Sequence, residues 1–168
     1  MFDTIFGLPL HPLIVHATEV VVPAAALVVL LAALWPRFRR WSGFLPLGLA
    51  LAALVLVPLA RETGEKLKDR VVETALVETH SEMAEGLLPW VAGLVVVAAM
   101  LLWWNYRATV GRTIVARAPK WVAIVLAVAA LIAATGTTVQ AVRIGHSGAA
   151  AVWSEVGGVP APPNSDDD

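Results

Sequence analysis

The chain contains no cysteine. That excludes disulfides, thiolate metal sites, cysteine-held iron–sulfur clusters and covalent attachment of a c-type haem. Charge is also scarce. Charged residues make up 15% of the 168 positions, where a soluble domain carries about a quarter. Sequence signatures of common enzymes are missing as well: there is no P-loop, no dinucleotide fingerprint and no H-E-x-x-H. Gly145-His146-Ser147-Gly148 matches a nucleophile elbow only in part, because Ala149 takes the place of its last glycine and no strand pattern precedes the serine. The basic residues sit in short loops beside apolar runs, so nucleic-acid binding has no support. The first ten residues carry Asp3 and neither Lys nor Arg. They lack the positive region of a cleaved signal peptide, and the first apolar run reads as a permanent span.

What the chain does have is apolar length. Hydrophobic residues make up 58%, and the mean hydropathy is +0.75. Four runs, at 12–35, 44–60, 87–104 and 121–142, approach or reach the 17–25 helical residues needed to cross a hydrocarbon core. The sequence therefore predicts an all-α fold: a polytopic membrane protein with a four-transmembrane-helix bundle in one domain, residues 1–153. Residues 154–168, with Gly157-Gly158, three prolines and three terminal aspartates, have the composition of a disordered acidic tail.

Loop charges set the expected orientation. Arg37, Arg39 and Arg40 lie between the first two spans, and Arg107, Arg112, Arg117 and Lys120 between the last two, with no acid in either loop. The positive-inside rule puts both loops in the cytoplasm, and both termini and the middle loop, 61–86, outside. Trp35, Trp41, Trp103, Trp104, Tyr106 and Trp121 cluster beside the basic loops, where an interfacial aromatic belt belongs. The halves share punctuation: His16 and Pro23 in span one against His80 and Pro89 at span three, and Thr63-Gly64 after span two against Thr135-Gly136 in span four. That pattern suggests a parallel internal repeat, although a glycine closing a helix is also a common C-cap.

All four histidines, His11, His16, His80 and His146, fall on the outer side. His11 is 24 residues from Trp35, His80 is 24 from Trp104 and His146 is 25 from Trp121. Continuous helix would lift all three to about 36 Å above the aromatic belt. Around His80, the stripe Val72, Leu76, Met83, Ala84 and Leu87 has helical spacing, and Glu78, Glu82 and Glu85 occupy the opposite face. His80 is thus expected to face the bundle and the glutamates water. Glu19 lies three residues past His16. It is expected either to fix the tautomer of a ligating His16 from the second shell, or to pair with Arg61, Arg70 or Arg143.

Imidazole is a common ligand for zinc, copper and iron, and two imidazoles at matched depth can hold a b-type haem. The leading expectation is a membrane-embedded redox-associated subunit that binds haem b or a transition-metal ion (Zn, Cu or Fe) on His11, His16, His80 and His146. This is a binding or electron-transfer subunit rather than a stand-alone enzyme, and a larger respiratory or redox membrane complex is its expected partner. The alternatives are a cofactor-free accessory or assembly subunit docked through small-residue helix faces, and a pH sensor built on the outward histidines.

The stretch 7–16, Gly-Leu-Pro-Leu-His-Pro-Leu-Ile-Val-His, resembles the opening H-P-x-x-V-H signature of a bacterial membrane family catalogued as domain of unknown function 2231. The likeness extends through His80, Thr63-Gly64, Thr135-Gly136 and Gly145-His146, and covers about residues 8 to 153. It implies a four-helix domain in the bacterial cytoplasmic (inner) membrane with histidines as its shared polar feature. Members are suspected of binding haem or metal, but the family supplies no activity.

Overall fold

The structure is a computed structural model that describes residues 4–5, 7–72, 74–110 and 120–153. The acidic tail, Arg112 and Arg117 lie outside the described residues. A short antiparallel pairing, β1 (Thr4–Ile5) with β2 (Leu8–Pro9), turns at Gly7 and leads into the first helix. Among the described residues six helices follow: α1 (Leu10–Leu34), α2 (Pro36–Ser42), α3 (Leu45–Lys68), α4 (Ala75–Glu85), α5 (Leu87–Val110) and α6 (Lys120–Trp153).

Four of these, α1, α3, α5 and α6, contain stretches long and apolar enough to cross a membrane, as the sequence predicts. α3, α5 and α6 run well past the predicted C-terminal boundaries. α3 continues through Glu62, Glu65 and Lys66 to Lys68, and α6 passes Gly145 without a break to Trp153. Intrahelical ion pairs help carry α3 past the apolar stretch, with Arg61 bonded to Glu65 and Lys66 to Glu62. α4 is a separate amphipathic helix. The Thr74 hydroxyl caps its start by accepting from the Val77 N–H at 3.3 Å, and a turn at Gly86 separates it from α5.

The spanning helices pack in the ring order α1, α3, α5, α6, closing back on α1, while α4 lies against α6 and α3 at one end. Alanine dominates the seams: Ala25, Ala26, Ala32, Ala50, Ala53, Ala98, Ala130 and Ala134 are essentially removed from solvent. Small side chains let helix backbones approach closely, which supplies the packing that a hydrophobic driving force cannot supply in lipid. Val22, Val29, Val91, Leu94 and Leu101 fill the remaining centre. Many large apolar residues, such as Val20, Leu27, Val55, Ile124 and Leu131, point outward, as a lipid-facing surface requires. The arginine-rich end carries exposed Trp35, Trp41, Trp103, Tyr106 and Trp121, with Arg107 4.2 Å above the Trp103 ring. At this end the Arg39 guanidinium donates to the Ala32 carbonyl at 3.3 Å, satisfying one of the open carbonyls in the last turn of α1.

Candidate functional site: two histidines seated on glycines

The opposite end of the bundle holds the four histidines, and helix rotation divides them. His11 and His80 are half-buried, whereas His16 and His146 are exposed. His16 follows His11 by five residues, a rotation of about 140° around α1, so both cannot face the bundle. His146 precedes Ser147, which does face inward, and is turned about 100° away from it. The four therefore do not gather into one cluster. Among the described residues no three His, Asp or Glu side chains come together in a way that could hold a metal ion.

His11 and His80 are placed by the same device. The His11 ring lies across Gly64 of α3, and the His80 ring across Gly148 of α6. A Cβ on either glycine would stand 3.0 Å from the histidine Cε1, 3.3 Å from Nδ1 and 3.6 Å from Nε2. The distances are the same at both positions. Each glycine follows a hydroxyl residue whose oxygen donates back into its own helix: Thr63 to the carbonyls of Leu59 and Ala60, and Ser147 to that of Ile144.

The hydrogen bonds fix the tautomers. His11 Nδ1 is 3.0 Å from the Ala60 carbonyl oxygen. A carbonyl can only accept, so Nδ1 carries the proton and donates. His80 Nδ1 is 3.0 Å from the Ser147 hydroxyl; with that hydroxyl's proton directed at the Ile144 carbonyl 2.9 Å away, its oxygen accepts from His80 Nδ1–H. In both rings Nε2 keeps its lone pair, and neither Nε2 has a hydrogen-bond partner among the described residues.

These contacts match a different pair of motifs from the one the punctuation suggests. Thr63-Gly64 corresponds to Ser147-Gly148, and His11 to His80. Thr135-Gly136 serves another purpose. The Trp90 indole lies against Gly136 and occupies the place a Cβ would take. The sequence holds the signal for this correspondence, a hydroxyl residue followed by glycine near the end of the second helix of each half. Reading Gly64 as a C-cap and Ser147 only as a rejected nucleophile hides it.

The glutamates of α4 behave as their stripe predicts. Glu78, Glu82 and Glu85 are exposed, with Glu85 paired to Arg61 and Glu78 to Lys68. Glu19 takes neither expected partner. His16 Nδ1–H donates to the Pro12 carbonyl at 2.6 Å, and Arg61 is engaged by Glu65 and Glu85. The Glu19 carboxylate instead crosses to α6, where Oε1 lies 3.3 Å from the position a Cβ on Gly145 would occupy.

Four apolar helices and a histidine end framed by paired glycines can be set beside known families. Residues 7–161 match the profile of a family described as predicted membrane protein, DUF2231. The chain belongs to this family. Within it, His11, His80 and both glycine seats fall inside the matched region, as do all four spanning helices. No curated protein and no solved structure matches the chain.

Proposed function

We propose that this DUF2231 protein is a membrane-embedded, redox-associated subunit of the bacterial cytoplasmic membrane that binds haem b, or failing that a transition-metal ion, through His11 and His80 at the outward end of its bundle. The observation behind the reading is the duplicated seat: two imidazoles from related halves, each with Nδ1–H bound to a fixed oxygen and Nε2 left as a lone pair. That is how a ligating histidine is normally held, since the outer hydrogen bond sets both the tautomer and the ring orientation. Two nitrogen donors suit a macrocycle that needs two axial ligands better than a bare ion, which needs three or four. The haem would supply a one-electron couple. The protein's residues would orient the two nitrogens and keep them unprotonated.

The test is the absorption spectrum of the purified full chain, oxidised and then reduced, on the native protein and on single alanine variants. The expected result is a Soret band with α and β bands that sharpen on reduction, lost in His11→Ala and in His80→Ala and kept in His16→Ala and His146→Ala. A cofactor retained in full by the His11→Ala/His80→Ala double variant overturns the assignment. A featureless spectrum with no metal by elemental analysis favours the cofactor-free accessory subunit.

A further inference from the structure

A groove of about 380 Å³ runs between α1 and α6, walled by Pro23, Leu27 and Leu30 on one side and Ala134, Thr135 and Thr138 on the other. The two helices are antiparallel, and beyond the groove, toward the histidine end, Glu19 of α1 meets Gly145 of α6. Glu19 is one turn before Pro23 on the same face of α1, and Gly145 is seven residues past Thr138 on the same face of α6. The exposed Glu19 carboxylate, resting over Gly145, therefore stands one turn beyond the Pro23 end of the groove. From Glu19 to Leu30 the rise along α1 is about 16 Å at 1.5 Å per residue.

A carboxylate nine residues into a spanning helix is costly unless something meets it. Among the described residues Glu19 makes no hydrogen bond or ion pair. Its neighbour Gly145 leaves the space into which the carboxylate leans. The site thus combines one hydrogen-bonding group, set about 14 Å down α1, with a long apolar trough beneath it. That shape matches an amphiphile with a small polar head and a chain. A phospholipid fits poorly, because its phosphate would have to descend to the level of a carboxylate of the same sign. A quinone head is uncharged and enters the hydrocarbon region readily. A carboxyl group suits both of its redox forms: ionised, it accepts from a quinol hydroxyl, and protonated, it donates to a quinone carbonyl.

We propose that the α1–α6 groove is a binding site for an isoprenoid quinone or its quinol, with the ring at Glu19 over Gly145 and the chain lying along the trough toward Leu30. The site is separate from the histidine pair, and its occupancy does not depend on whether that pair holds a haem.

The experiment uses the full chain in lipid nanodiscs and a photoreactive azidoquinone with a decyl chain, with cross-links mapped by mass spectrometry. Labelling is expected within residues 19–30 and 134–145, to be displaced by decylubiquinol, and to fall at least tenfold in Glu19→Leu. That substitution removes a charge from a spanning helix, so folding is not at risk from it. Thr138→Trp, which fills the trough from an exposed position on its wall while leaving Glu19 in place, is expected to give a similar loss. The His11→Ala/His80→Ala variant should label like the native protein, which separates failure of this site from failure of the haem assignment. Labelling spread evenly over the lipid-facing surface, unchanged in Glu19→Leu, or displaced as well by phosphatidylethanolamine as by decylubiquinol overturns the proposal.

Discussion

The first half of the molecule holds its histidine with backbone, and the second half holds its histidine with a side chain. His11 donates to the carbonyl of Ala60, an atom positioned by α3 itself. His80 donates to the hydroxyl of Ser147, an atom that one substitution can delete. The carriers differ as well. His11 sits in the first turn of α1, a helix that continues through the whole bundle. His80 sits on α4, an 11-residue helix joined to its span by the turn at Gly86. The imidazole-on-glycine geometry is the same in both, yet one half builds it into a rigid element and the other attaches it. A duplicated motif can thus keep its geometry while its mechanical support diverges.

The strongest way to break this comparison is to fill the seats. Gly64→Val and Gly148→Val each place a branched side chain where the imidazole lies, and a Cβ alone would already stand 3.0 Å from Cε1. Overpacking of this kind costs about 1–3 kcal/mol, partly offset by the better helix propensity of valine. The Gly64 variant is expected to lose more, because α1 cannot move without disturbing the core around Val22 and Ala25, whereas α4 can tilt away from α6. Thermal unfolding in detergent reads the difference. Equal losses would mean that α4 is fixed as firmly as α1.

A smaller effect separates the anchors. Ser147→Ala leaves the half-buried His80 Nδ1–H without its acceptor, at a cost of about 1 kcal/mol. Thr63→Ala removes only the longer 3.4 Å contact to His11 and leaves the Ala60 carbonyl in place, so a few tenths of a kcal/mol is expected. Nitrogen NMR of the imidazoles sharpens the test. The Nδ1–H tautomer is expected to persist at His11 in Thr63→Ala and to give way to a mixture at His80 in Ser147→Ala. The same tautomer at both positions in both variants would show that the serine hydroxyl is dispensable.

Height was legible in the sequence and rotation was not. Counting from the tryptophans puts His11, His80 and His146 at one level on the assumption of continuous helix, which α1 and α6 satisfy and the turn at Gly86 breaks for His80. Which of them turn inward depends on how each helix is rotated in the bundle. Around His80 a clear apolar stripe opposes the glutamates and reveals that rotation. Around His11, His16 and His146 almost every face is apolar or small, since a spanning helix is hydrophobic on all sides, and periodicity carries no direction. The same uniformity hid the glycine seats. A glycine that admits a ring and a glycine that closes a helix look alike in one dimension, and only the neighbour across the seam tells them apart. Glu19 was visible as an anomaly, but its position over Gly145 depends on the antiparallel contact of α1 with α6.

The smallest expected effect concerns what keeps α4 in place. Arg61 on α3 bridges to Glu85 on α4, but the side chains of this pair are 47% and 60% exposed. Water and salt screen such a pair, and an exposed ion pair contributes between nothing and about 1 kcal/mol. Arg61 also binds Glu65 on its own helix, so part of its interaction survives any movement of α4. If packing against α6 and the His80 seat hold α4, Arg61→Ala should lower stability by no more than about 0.5 kcal/mol and leave the His80 tautomer as it is, at low and high salt alike. If the ion pairs hold α4, the same substitution should release His80 from Ser147, with raised salt mimicking it in the native protein. The second half would then carry its histidine on an electrostatic tether absent from the first, and the correspondence between the halves would be one of geometry without a shared source of stability.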